Sequence, residues 1–169
     1  MPKVTVNFTQ LDSFNRKLAV LIRDAEDVAK FSVFDGARVA ADAMSSAIAG
    51  LSVVPDVESI HAWRRGTPTL INYTQRRCLQ EALGIAKMRV GAGLRVSTSV
   101  GFDGYNDIKT HRWPKGQPNI MIAASCEHGS SAMLEQPFIT AAYVSSRARI
   151  VAVMELSAGK KIQEILLDS

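Results

Sequence analysis

Between Thr9 and Val28 the apolar residues Leu11, Phe14, Leu18, Leu21, Ala25 and Val28 step by three and four. A helix returns every third or fourth side chain to the same side, so this spacing predicts an α-helix with one apolar stripe. Thr9 stands where a hydroxyl can cap its first turn. A stripe of that kind has to be buried against another element, which constrains the rest of the chain to a layered fold. The last stretch has the same character: Pro137 stands at a helix start, where proline loses no internal hydrogen bond, and Val151, Met154, Ala158, Ile162 and Ile165 share a face.

Between these ends the pattern changes several times. Ser32 is read as the cap of a second helix with a narrow face of Ala37, Ala41, Met44 and Ile48, stopped by Gly50 and Pro55. Residues 51–71 carry Pro55, Gly66 and Pro68 and no sustained period, and are read as a protruding loop that bears Trp63, Arg64 and Arg65. Thr74 is the expected cap of a short third helix ending near Leu83. Leu94–Phe102 alternates as a half-buried strand, and Asn119–Cys126, apolar on both faces, is read as a second strand. Residues 103–118, rich in Gly, Pro, Asn and Asp, then form a long inter-strand loop. Lys3–Phe8 alternates weakly and is read as a short strand or an extended arm. The expected fold is α+β: two or three long helices packed on a small antiparallel sheet, in a single domain of residues 1–169.

Composition, with 47% hydrophobic and 21% charged residues, is that of an ordinary globular domain. A chain of this length buries roughly 70% of its unfolded surface without staples. No apolar run approaches the ~20 residues needed to cross a bilayer, so no membrane partner is expected. The first residues lack the pattern of a secretory signal, which predicts folding in the cytoplasm. Cys78 and Cys126 are expected as small buried hydrophobes rather than as a disulfide.

Charge is unevenly placed. The net of +4 arises from −2 over residues 1–58, +7 over 59–126 and −1 over 127–169. The basic middle contains Arg64, Arg65, Arg76, Arg77, Lys87, Arg89, Arg95, Lys109, Arg112 and Lys115, interleaved with Trp63, Tyr73 and Trp113. Three readings follow: a solvated basic face, a basic face that pairs with the acidic first third of a neighbouring copy, or weak attraction to a nucleic-acid backbone without sequence specificity. Arg64, Arg65, Arg76, Arg77, Lys109, Arg112 and Lys115 are the candidate DNA-facing or inter-subunit residues. No helix-turn-helix, zinc-finger or aromatic RNA-binding signature accompanies them.

The residues of catalysis do not assemble. His61, His111 and His128 lack a second ligand at short spacing, so no metal is expected. Glu127-His128-Gly129-Ser130 places a base and a hydroxyl too close in sequence to face each other, and reads as a turn with a solvated His. Gly91-Ala92-Gly93 lacks the third glycine of a dinucleotide loop, and Asp103, Asn106 and Asp107 do not follow a calcium-loop spacing. No enzymatic activity and no cofactor are expected.

The second half carries a string of motifs in a fixed order: Leu79, Leu83-Gly84-Ile85, Met88, Val100-Gly101-Phe102-Asp103-Gly104-Tyr105-Asn106, Trp113-Pro114-Lys115-Gly116-Gln117-Pro118-Asn119, Glu127-His128-Gly129-Ser130-Ser131 and Gln136-Pro137-Phe138. This string resembles the tail-component, or tail-completion, family of tailed double-stranded DNA bacteriophages; His128 departs from the smaller polar residue of that pattern. The resemblance implies a virion structural protein of the head-tail junction, made in the host cytoplasm. It implies a ring or collar subunit, or a factor that completes the tail for joining, whose partners are its own copies and other neck and tail proteins (connector, tail terminator or tail tube); the basic centre adds non-specific contact with packaged DNA as an expectation. The motif residues Gly101, Phe102, Gly104, Tyr105, Trp113, Pro114, Gly116, Pro118, Gly129, Pro137 and Phe138 are then structural: glycines for turns and close approaches, prolines for a stiff loop, Phe138 to lock the last helix in place. The other reading of the chain is a small basic nucleic-acid-binding protein that uses residues 59–115.

Overall fold

A computed structural model describes residues 9–109 and 111–167 of the chain. The weak strand or arm over Lys3–Phe8 lies outside the described residues. Helix α1 runs unbroken over Thr9–Ala49, 41 residues, which spans about 60 Å at 1.5 Å per residue. Helix α5, Phe138–Leu167, has 30 residues and spans about 45 Å. The two lie antiparallel along one another. The Ser32 hydroxyl donates to the Met154 carbonyl (2.8 Å) and the Ser157 hydroxyl to the Asp35 carboxylate.

The expected boundary at Ser32 is therefore absent, and the two predicted N-terminal helices are one. Ser32 is buried in the α1/α5 contact, where its hydroxyl finds a carbonyl of the other helix instead of capping its own. Gly36 explains how closely the helices approach. A Cβ there would stand 2.6 Å from Met154 Cγ, so only hydrogen leaves room for that side chain.

The segment read as a loop over residues 51–71 contains helix α2, Asp56–Arg64. Its charges agree with the helix dipole: Asp56 and Glu58 in the first turn, His61 and Arg64 in the last. Helix α3, Tyr73–Ala82, is capped by Asn72 rather than Thr74. The Asn72 side chain accepts from the Gln75 N–H, and the Gln75 side chain accepts from the Asn72 N–H. Thr74 instead bonds through both its N–H and its hydroxyl to Asp56, tying α3 to α2.

Residues 83–102 form one β-hairpin in two tiers. Strand β1 (Leu83–Ile85) pairs with β4 (Val100–Phe102), and β2 (Arg89–Gly91) pairs with β3 (Arg95–Ser97), both antiparallel. Residues 86–88 on one strand face 98–99 on the other, a bulge of one residue that breaks the predicted 94–102 strand into β3 and β4. Leu94, read as the strand's start, lies in the tip with φ 59°.

The predicted second strand is a helix: α4 covers Asn119–His128. Its buried residues Asn119, Ile122, Ala123 and Cys126 recur at helical intervals, and Pro118 occupies the N-cap. An apolar run with no polar face has no period to separate strand from helix, which is why its type is not fixed by pattern alone. The 103–118 excursion thus joins strand to helix, and its base is closed by an antiparallel bridge between Tyr105 and Pro118.

The α+β class holds, with the sheet reduced to the paired tiers of the hairpin. The core sits where α1 ends and α5 begins. Ile48, Leu51, Ile71, Leu79, Ile122, Ala123, Cys126, Met133 and Phe138 are buried together, with Met44, Leu83 and Phe102 packed against them. Phe102 and Phe138 meet edge to face, centroids 6.0 Å apart at 62°, so Phe138 locks the start of α5 onto the hairpin. Cys78 and Cys126 are free and buried. Among the described residues no helix is long and apolar enough to cross a membrane.

Candidate assembly surface

A compact folded chain of this mass exposes about 8,200 Å². This chain exposes 11682 Å². The excess is roughly 3,500 Å². It is of the size buried in obligate protein–protein interfaces. Two regions with exposed apolar side chains stand out.

The first is the outer end of α1. Phe14, Leu18, Leu21, Ala25 and Val28 continue the face that carries Ser32 and Gly36, the face that seats α5. The Ser32–Met154 and Asp35–Ser157 contacts place Leu167, the last described residue of α5, opposite roughly residue 22 of α1. Phe14 and Leu18 lie beyond that point and are 59% and 44% exposed. The stripe that dictated a packed helix is covered only where α5 reaches.

The second is a trough of about 520 Å³ between α2, the 103–118 loop, α4 and residues 130–133. Ile60, Trp63, Leu70, Met121 and Met133 line it, together with Arg64 and Lys109. Trp63, at 72% exposed, is held on α2 with its ring largely in solvent.

The described residues of the 103–118 loop are held by contacts among themselves. Gly104 and Gly116 both have positive φ, 69° and 103°. A Cβ on Gly116 would overlap the Asn106 carbonyl oxygen, so this glycine is required for closure. Asn106 is buried and its side-chain oxygen accepts from the N–H groups of Ile108 and Gln117. Pro114 is exposed at the far end and Pro118 leads into α4. Tyr105 is exposed, and Trp113, half-buried, has the Arg112 guanidinium 5.7 Å from its ring centroid. Gly101 lies within β4.

The predicted basic residues divide. Arg76 Nη1 donates to the carbonyls of Ala49 and Leu51 at the end of α1, and its guanidinium lies 5.9 Å from the Tyr73 ring. Arg77 pairs with Asp107 at 3.2 Å and reaches Glu81 at 4.0 Å. These two cations are engaged within the chain. Arg64, Arg65, Lys109, Arg112 and Lys115 are exposed and have no ion pair among the described residues. Arg64 and Lys109 meet at the trough; the seven predicted residues do not form one patch.

Glu127 has a role that pattern did not reveal. Its buried carboxylate accepts from the N–H groups of Ile139 (2.7 Å) and Thr140 (2.9 Å) and from the Thr140 hydroxyl, capping α5 from the end of α4. Burial pushes the carboxyl up, but the Thr140 and Ile139 hydrogen bonds outweigh it and hold the group below its ordinary value. His128 is exposed and Gly129, with φ 72°, ends α4. Gln136 is a second such residue: its side-chain amide exchanges hydrogen bonds with both backbone groups of Ser52, and its own N–H donates to the Cys126 carbonyl. Glu127 and Gln136 join α4, the 51–55 segment and α5 across the core. Among the described residues no group of three or more His, Cys, Asp or Glu could hold a metal ion.

Comparison of the chain with protein-family models, curated proteins and solved structures gave no match.

Proposed function

We propose that the chain is a structural subunit of the head-tail junction of a tailed bacteriophage, which assembles with copies of itself into a ring and joins neighbouring neck and tail proteins. The observation that carries the reading is the accessible surface, larger than a self-contained chain of this mass presents. Its two apolar regions, the outer end of α1 and the trough beside α2, are different surfaces at opposite ends of α1, the outer Thr9 end and the Ala49 end. A closed ring needs a heterologous contact of that kind, in which one surface of each copy meets a different surface of the next. The ordered motifs from Leu79 to Phe138, read as a resemblance to the tail-completion family, supply the location. They are also structurally engaged: Gly116 closes the long loop and Phe138 fixes α5 to the hairpin.

The test is to examine particles made without this protein. Filled heads separate from unattached tails support the junction role; normal infectious virions refute it. Self-association is measured apart from this, by sedimentation of the purified chain over a range of concentrations. Phe14→Ser with Leu18→Ser should weaken it while leaving the helical signal intact, because both side chains are exposed in the single subunit.

A further inference from the structure

We propose that the 83–102 hairpin is a contact for the phosphate backbone of double-stranded DNA, with Lys87, Arg89 and Arg95 supplying the charge. These three belong to the basic middle of the sequence but not to its seven candidate DNA-facing residues, and the fold is what brings them together. The register pairs Arg89 with Ser97 and Gly91 with Arg95. Residues paired or two apart on a ribbon share a face, so Arg89 and Arg95 are diagonal neighbours, about 7–8 Å apart at the backbone, on one side. Val90 and Val96 pair on the other side. Val96 is half-buried and strand β3 lies against α1, whereas Arg89 and Arg95 are exposed. The ribbon thus rests Val96 of β3 against the long helix, leaves Val90 of β2 exposed, and presents its cationic face outward. Lys87, exposed in the bulge two residues before Arg89, extends the same run of charge.

The hairpin contains no acidic residue from Leu83 to Phe102. None of its three cations has an ion pair among the described residues. No described carboxylate of the subunit pairs with them, and a second copy is a poor candidate. Most carboxylates of this chain are engaged: Asp24 with Arg23, Glu26 and Asp27 with Lys30, Asp35 with Ser157, Asp56 with Thr74. The described carboxylates with neither an ion pair nor a hydrogen bond, Asp42, Glu58, Glu135 and Glu155, are spread over α1, α2, the segment before α5, and α5 itself. Among the described residues no surface offers a cluster of free negative charge to match the ribbon. Duplex DNA does, with a charge every ~1.7 Å of its axis. The ribbon has no aromatic side chain on its cationic face and no helix to enter a groove, so the contact reads backbone charge rather than base sequence.

The inference rests on the junction reading only for where the duplex would lie; the contact itself is measurable on the free subunit. Binding of the full chain to a labelled 30-base-pair duplex of mixed sequence is followed by fluorescence anisotropy as NaCl is varied. Replacing Lys87, Arg89 and Arg95 together by Gln should flatten the slope of log K against log salt by about 2.7, at ~0.9 per phosphate contact. Between 50 and 200 mM salt the unaltered chain then loses about 40-fold more affinity than the variant. The charge-retaining triple Lys87→Arg, Arg89→Lys, Arg95→Lys should keep the slope. A control triple, Arg38→Gln, Arg147→Gln and Lys160→Gln, removes equal charge elsewhere and should leave the slope in place; if it flattens the slope as much, net charge alone is responsible and the proposal fails. Absence of binding at 50 mM salt, or an unchanged slope in the ribbon variant, also overturns it. A ribbon variant that binds DNA normally but no longer self-associates would show the partner to be another copy. Separate heads and tails in particles lacking the protein would leave the junction reading intact in any of these cases.

Discussion

Glu127 offers the sharpest test of how the core is tied together. Helix α5 begins at Phe138 directly after Pro137, whose side chain has no polar atom to cap it, and the donors of its first turn, Ile139 N–H and Thr140 N–H, point at a carboxylate delivered by α4. Glu127→Ala removes three hydrogen bonds to a charged acceptor and the negative group at the positive end of a 30-residue helix. Bonds to charged acceptors contribute about 1.5–3 kcal/mol each at best and are not additive, and water entering the vacated space restores part of the loss. A net destabilisation of about 3 kcal/mol is expected, which lowers Tm by about 6–12 °C in a domain of this size. Glu127→Gln preserves the shape and one acceptor oxygen but turns an NH₂ toward the donors, and should cost about 2 kcal/mol.

The pH dependence separates this mechanism from simple loss of packing. Because the folded-state pKa of Glu127 is depressed, its contribution is full above the unfolded value of about 4.3 and is lost as pH falls through the folded value. The gap between the unaltered chain and Glu127→Gln, measured by urea unfolding followed at 222 nm, should be full at pH 7 and narrow steadily below about pH 4. Equal stability of the two at pH 7, or a gap that does not change between pH 7 and pH 3, would refute the capping argument.

Other outcomes follow from the same contacts. Gly116→Ala should destabilise by about 2–4 kcal/mol, since the side chain meets the Asn106 carbonyl and the backbone is held at φ 103°, and proteolysis should then cut within residues 103–118. Burial, with the Glu127 charge beside it, pushes the Cys126 thiol up to about 11, so the fold favours the neutral form. Stability should therefore be full below the unfolded thiol value of about 8.5 and fall as pH rises toward 11, and Cys126→Ala should lack that component of the alkaline loss. Arg76→Met should reduce stability by about 1 kcal/mol, by uncapping the Ala49 and Leu51 carbonyls, and leave the salt dependence of DNA binding unchanged. A flattened salt slope in that variant would restore Arg76 to the DNA-facing set in which its sequence position placed it.

What the chain discloses before folding depends on whether a signal is local or periodic. The stripe from Leu11 to Val28 and the face from Val151 to Ile165 are periodic over several turns, and both lie on helices in the structure. Ser32 misleads because a cap signal is a single residue. A serine inside a helix looks the same until the element opposite is known, and here α5 provides the carbonyl. Helix α4 is hidden for the opposite reason, since Asn119–Cys126 is apolar all round and tertiary burial, not pattern, decides its type. Helix α2 is legible in local signals: an acidic first turn and basic last turn in Asp56, Glu58, His61 and Arg64, with the Asn72–Gln75 capping box opening the next helix. The candidate surfaces show the same division. A run of basic residues in sequence carries no information on which of them find partners, and folding assigns Arg76 and Arg77 to internal contacts while leaving Arg89 and Arg95 on one outward face. That assignment is made by strand register and by where α1 ends, both of them long-range. The charge of the middle segment was therefore readable from the sequence, whereas the surface able to use it was not.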